Sequence, residues 1–165
     1  MKTKQLAATS VLCALSVVIL FLGNLIGIGT YAGPLLAIWV CLPVLEKYGA
    51  KAALMTWLCV SILAVILVPD KELTLFYAGF GWYPAALKKI NRISSRALRL
   101  LVKSAIYLAV IAAIYSAIIF IAGIEIKTGA LEYILLAAGL VIFFLADRTI
   151  PVMSRFLAAR LKNLM

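Results

Sequence analysis

The chain has 165 residues, of which 66% are apolar and only 13% are charged. Soluble domains average roughly 45–50% apolar and about 25% charged residues, so a water-soluble fold cannot bury this much apolar surface. Lipid offers backbone amides no hydrogen-bond partner, which restricts spanning segments to helices or closed barrels. Long runs of Leu, Ala and Ile favour helices. The composition therefore excludes an ordinary soluble domain and predicts an all-α, polytopic integral membrane protein.

The formal net charge of +10 does not indicate a nucleic-acid-binding protein. The basic residues form short patches at the ends of apolar runs, without the interleaved aromatic residues of a single-strand-binding surface. The lack of histidine excludes Ser-His-Asp and Cys-His catalysis and histidine metal sites. No P-loop motif is present either. We therefore expect no enzyme, no cofactor and no ATPase motor within this chain.

The apolar runs predict a bundle of about six transmembrane helices of unequal length. The first run is followed by a turn-prone stretch, residues 24–34, that we interpret as a loop or broken helix. The fourth run contains Gly79, Gly81 and Pro84 and is predicted to be short or kinked. The predicted spans are residues 5–23, 35–45, 52–68, 73–87, 100–124 and 131–146, with a final helix from Pro151 to the end.

The distribution of basic residues predicts that both termini are cytoplasmic. With the N-terminus inside, 14 of the 16 basic residues are cytoplasmic, and only Lys71 and Lys127 lie outside. Five or seven crossings would disturb this asymmetry. We therefore predict one transmembrane domain over residues 1–165, located in the cell membrane.

Residues 88–103 predict an amphipathic cytoplasmic helix. Arg92, Arg96, Arg99 and Lys103 recur at helical spacing, opposite an apolar face. Such a helix either lies in the interface near anionic lipid or docks a partner. Arg92 and Arg96 are therefore candidate partner-binding residues. Asp147, which precedes Arg148, is interpreted as a charge at a helix end.

The first span carries small residues at the spacing that lets another helix approach closely. Ser10 and Ala14 form one such pair, and Thr9 and Cys13 form another. The pattern is explained either by packing inside the bundle or by contact with another subunit. All four are candidate partner-binding residues. The cysteines of the chain, Cys13 included, lie inside apolar runs and are interpreted as packing residues.

The outer ends of the predicted spans gather aromatic and hydrogen-bonding side chains suited to lining a small-molecule pocket. Tyrosines near the water boundary are also common as interfacial anchors, and the acids can be solvated. Both interpretations stay open from sequence alone. The candidate substrate-binding residues are Asn24, Thr30, Tyr31, Glu72, Thr74, Tyr77, Tyr115 and Glu125.

The chain resembles the substrate-binding S components of energy-coupling-factor (ECF) transporters. The resemblance covers nearly the whole chain and rests on its length, its six short spans, its cytoplasmic termini, the small-residue first helix around residues 4–18 and the lid-like loop at residues 24–34. In that family an Ala-xxx-Ala groove on the first helix meets the transmembrane coupling subunit. Here Ser10 and Ala14, with Thr9 and Cys13, are the nearest match.

The resemblance implies that the chain captures a micronutrient such as a vitamin at the outer side of a bacterial membrane. Its partners would be a coupling protein and two cytoplasmic ATPases. The lack of histidine argues against the cobalt and nickel members, and the outer acids favour a neutral or cationic ligand. Two alternatives remain: a small membrane scaffold similar to the MreD family of rod-shape proteins, and a lipid-acting enzyme that depends on Asp70, Glu72 or Asp147.

Overall fold

The computed structural model describes residues 3–26, 29–122 and 130–162, and every regular element in these ranges is an α-helix. The all-α prediction is therefore confirmed over the described residues. The helices are α1 (Thr3–Ile26), α2 (Gly29–Leu67), α3 (Lys71–Phe80), α4 (Tyr83–Ile90), α5 (Arg96–Ala122) and α6 (Ala130–Lys162).

Three of the described helical stretches are long and apolar enough to cross a membrane: Gln5–Ile26, Ala32–Leu67 and Arg96–Ala117. Large apolar side chains cover their outer faces; Val11 in α1 is 67% exposed and Ile66 in α2 is 72% exposed. A helix that is apolar on its packed and its outward face is typical of a membrane span. The chain is therefore a membrane protein by the length and composition of its helices.

Helix α2 is divided at Gly49, whose backbone is not helical (φ 85°, ψ 176°). These dihedrals lie in a region that is essentially restricted to glycine. Ile38 and Trp57, on opposite sides of Gly49, line one cavity of only about 20 Å³. A straight helix would hold them about 28 Å apart, at about 1.5 Å per residue. The chain therefore reverses direction at Gly49, within the break that the sequence predicts between residues 45 and 52.

Substitution of Gly49 tests this conformation. No atom lies within 4 Å of the position of an added β-carbon, so the cost of a side chain here is in the backbone alone. We expect Gly49→Ala to lower the free energy of unfolding by roughly 1–3 kcal/mol, measured by SDS-induced unfolding in mixed micelles. Ala50→Ser, at the exposed neighbouring position, serves as the control. Equal stability of Gly49→Ala and the wild type would contradict a glycine-dependent turn.

The predicted fourth span consists of two short helices, α3 and α4, separated by Gly81 and Trp82. At this break the indole Nε1 of Trp57 donates a hydrogen bond to the carbonyl of Ala78 at 3.1 Å. A β-carbon on Gly81 would lie only 2.5 Å from Trp57 Cδ1, so glycine is needed for this close approach. The prediction of a short or kinked segment is confirmed in its first form, as two short helices, and Trp57 binds at the break between them.

The prediction of one amphipathic helix over residues 88–103 is wrong. Helix α4 ends at Ile90, and α5 begins only at Arg96. The residues between include Asn91, Ser94 and Ser95, whose side chains compete for backbone hydrogen bonds and favour turns over helix. Lys103, which was expected on the solvated face, is buried.

Helix α6 continues from Ala130 to Lys162, so the helix end predicted near residue 146 is also wrong. Pro151 lies inside this helix and has no N–H to donate to the backbone carbonyl of Asp147. Proline is tolerated in membrane helices because neighbouring groups satisfy the freed carbonyl. Asp147 is consequently not at a helix end but inside a long helix that packs on α2 and α5.

Candidate functional site

A buried ion pair joins α5 to α6. Lys103 Nζ lies 2.6 Å from Asp147 Oδ2, and the two side chains are 8% and 12% exposed. The hydroxyl of Tyr83, at the start of α4, donates a hydrogen bond to Asp147 Oδ1 at 2.5 Å. Both carboxylate oxygens therefore have a donor, and three helices meet at one carboxylate. Taking two charges out of water is costly, so each member of a buried pair depends on its partner and on its hydrogen bonds.

An apolar cavity of about 100 Å³ lies against one side of this cluster. Phe143 of α6 is the centre of its wall, with its ring centroid 5.6 Å from that of Phe80, 5.3 Å from Tyr107 and 5.0 Å from Tyr83. Tilted rings at these distances attract one another beyond the effect of simple burial. We call this space the aromatic cavity. It is suited to holding an apolar ring.

A second cavity, of about 580 Å³, lies on the other side of the ion pair, beside the start of α5. We call it the basic cavity because Arg96, Arg99, Lys103 and Arg148 all line it. Asp147 lines this cavity and the aromatic cavity. It therefore borders both an apolar cavity and a strongly basic one.

The described residues predicted to bind substrate are not brought together at either cavity. Thr74 is fully buried, and its hydroxyl donates to the Asp70 carbonyl at 2.9 Å. Tyr77 is also buried, with its hydroxyl 3.8 Å from Cys41 Sγ. Glu72 is exposed in the first turn of α3, next to the N-cap of that helix.

The other predicted substrate residues lie farther along the helices. Asn24 is half-buried near the end of α1, and Tyr115 is half-buried in α5. Thr30 and Tyr31 belong to the first turn of α2, but their side chains lie outside the described residues. Glu125 lies outside the described residues altogether.

The two small-residue pairs of α1 lie on different faces. Thr9 is buried and donates a hydrogen bond to the carbonyl of Gln5 at 2.8 Å, while Cys13 packs against the core. Ser10 and Ala14 are exposed. The inner pair thus belongs to internal packing, and only the outer pair is accessible to another subunit.

The two basic residues predicted to bind a partner, Arg92 and Arg96, lie in different parts of the structure. Arg92 is exposed in the turn between α4 and α5, whereas Arg96 is exposed at the first residue of α5 and lines the basic cavity. The interpretation of the cysteines as packing residues holds for Cys41, which contacts Ser16 Oγ at 3.2 Å. It fails for Cys59, which is exposed on α2.

Lys103 and Tyr83 were not singled out as site residues from the sequence, and Asp147 was named only for the alternative of a lipid-acting enzyme. The available signal was an acid and a base embedded in long apolar helices, a pattern that indicates function by default. An erroneous helix end near residue 146 concealed it, because a carboxylate at the end of a helix is solvated. The same error placed Lys103 with the surface cations.

Removal of one member of the pair tests its contribution. Lys103→Met leaves the Asp147 carboxylate buried without its cation, and we expect it to lower the free energy of unfolding by roughly 3–5 kcal/mol. The double variant Lys103→Met/Asp147→Leu removes both charges and should be more stable than Lys103→Met alone. SDS-induced unfolding measures both. The two charges would be uncoupled if the loss of unfolding free energy in the double variant equalled the sum of the losses in Lys103→Met and Asp147→Leu, and this result would contradict a coupled pair.

The chain matches no protein-family model, no curated protein and no solved structure at a significant level. Its function therefore has to be inferred from the two cavities and from the residues that line them.

Proposed function

We propose that the chain is the substrate-capture component of an ECF-type uptake transporter and that the aromatic cavity holds the captured molecule. The observation that carries the proposal is the cavity itself, enclosed between α2, α3, α4, α5 and α6 and bounded by a paired carboxylate. Ligand sites are typically concave and apolar, with a few placed polar groups.

The lining suggests the class of substrate. The rings of Phe80, Tyr107 and Phe143 offer flat apolar surfaces, and a cavity of about 100 Å³ is of the size that accepts a single ring. Both oxygens of Asp147 already accept hydrogen bonds, and Lys103 balances the negative charge. The carboxylate can therefore orient the bound molecule without requiring that molecule to be charged. We infer a small molecule with an aromatic or other flat apolar moiety. This replaces the outer polar pocket as the proposed site.

Capture and partner contact would use different faces of the molecule. Ser10 and Ala14 lie on the outside of α1, away from the aromatic cavity, where a coupling protein has access to them. Small residues at this spacing let helices approach closely. We propose this face for the coupling protein, with two cytoplasmic ATPases supplying the energy that the chain has no motif to provide.

The proposal includes six crossings with cytoplasmic ends in a bacterial cell membrane. In this proposal α2 provides two crossings, one on each side of Gly49, and α3 with α4 provide one crossing beside α1, α5 and α6. Under this topology Lys47 is inside and Lys71 is outside.

Cysteine labelling tests the topology. In a background without native cysteines, we expect Lys71→Cys to react with a membrane-impermeant maleimide in intact cells. Lys47→Cys should react only after the membrane is permeabilised. Both positions are exposed, so accessibility within the protein is not the limiting factor. Labelling of Lys47→Cys in intact cells, with Lys71→Cys protected, would reverse the topology.

Filling the aromatic cavity tests the site. Ala146 is buried and lines the cavity, so Ala146→Leu places three further carbon atoms in it. We expect at least a tenfold loss of the small molecule that co-purifies with the protein in mild detergent, measured by mass spectrometry. Ala109→Leu, at an exposed position of α5, is the matched control and should retain it.

The same preparation distinguishes the functions. A co-purifying small molecule together with a coupling protein and two ATPases is the expected result. Morphogenetic membrane proteins without any small molecule would favour the MreD-like scaffold. Retention of the small molecule by Ala146→Leu would show that it binds elsewhere.

A further inference from the structure

The basic cavity has an excess of positive charge that the rest of the structure does not neutralise. Arg96 and Arg99 come from the first turn of α5, Lys103 from one turn further, and Arg148 from α6. Positions 96, 99 and 103 share one face of a helix because they are three and four residues apart. Against these four cations the cavity wall holds a single acid, Asp147.

Asp147 is bound to other donors, and no arginine is among them. Its Oδ2 accepts from Lys103 at 2.6 Å, and its Oδ1 accepts from Tyr83 at 2.5 Å. Among the described residues, no hydrogen bond or ion pair engages the guanidinium groups of Arg96, Arg99 or Arg148. Three guanidinium groups therefore border one space without an anionic partner. The N-terminus of α5 adds a partial positive charge at the same place.

We propose that the basic cavity binds the phosphate headgroup of an anionic membrane lipid. Guanidinium groups bind phosphate oxygens with paired, charge-assisted hydrogen bonds. The cavity accommodates a headgroup, at about 580 Å³. Basic pockets between membrane helices are typical sites for anionic headgroups.

A lipid fits this cavity better than a free phosphate because its surroundings are apolar. Leu100 lines the cavity and is 54% exposed. This side chain provides an apolar surface on α5 for acyl chains while the phosphate occupies the cavity. Phe144 and Pro151 extend the apolar part of the lining on α6. The site is separate from the aromatic cavity, so its test does not require uptake activity.

Native mass spectrometry of the purified full chain, titrated with dioctanoyl phosphatidylglycerol, measures the binding. The test variant is Arg96→Gln/Arg99→Gln/Arg148→Gln. The matched control is Lys51→Gln/Lys89→Gln/Arg92→Gln, which removes three exposed cations that do not line the cavity. We expect binding to weaken roughly fivefold for each charge removed from the cavity, hence about a hundredfold in the test variant, and to change less than twofold in the control.

Two results would overturn the proposal. Equal affinities in the test and control variants would mean that the lipid responds only to net charge. Displacement of the lipid by glycerol phosphate or inorganic phosphate at the lipid's own concentration would assign the cavity to a free phosphate.

A fold control accompanies the measurement. Among the described residues the three arginines make no hydrogen bond or ion pair that their substitution would break, so thermal unfolding of the test variant without lipid should match that of the wild type. If the triple variant unfolds early, the single variants Arg96→Gln and Arg148→Gln carry the test, each with an expected fivefold loss. A single variant that is stable and binds normally would count against the site.

Discussion

The charge pair between Lys103 and Asp147 constrains how the second half of the bundle packs. A carboxylate and an ammonium group with little exposure require each other, because either one alone carries a large desolvation cost. The pair fixes the register of α5 against α6, and Tyr83 brings α4 to the same point. Phe143, one helical turn before Asp147, is thereby placed among the aromatic rings. The aromatic cavity and the basic cavity are both consequences of this one junction.

Much of the helical organisation was predictable because apolar runs of this length have few other solutions in lipid. The break in α2 was predictable from the polar residues 46–51, and the bend between α3 and α4 from Gly81 and Pro84. Helix ends were less predictable. The basic residues between 88 and 103 recur at helical spacing, yet the chain turns at Asn91 and Ser95. Pro151, in contrast, lies inside a continuous helix. Whether such a residue ends a helix depends on whether tertiary contacts can form hydrogen bonds with the backbone groups that it leaves free.

The candidate site was less accessible from the sequence than the fold. Polar side chains near the predicted outer ends attracted attention, yet Thr74 and Tyr77 use their hydroxyl groups within the protein, on Asp70 and Cys41. A sequence pattern shows that a residue is able to form a hydrogen bond but not which partner it has. The aromatic cavity uses Phe and Ile residues that are indistinguishable, in sequence, from ordinary span residues. Only the packing of five helices identifies them.

The hydrogen bond from Trp57 to the carbonyl of Ala78 has a consequence for biosynthesis. The donor precedes its acceptor by 21 residues, so Trp57 leaves the ribosome before α3 does. The group that binds the Ala78 carbonyl is thus available when the bend between α3 and α4 forms. Because the chain is synthesised from its N-terminus, the order of the helices places this donor ahead of the carbonyl that needs it.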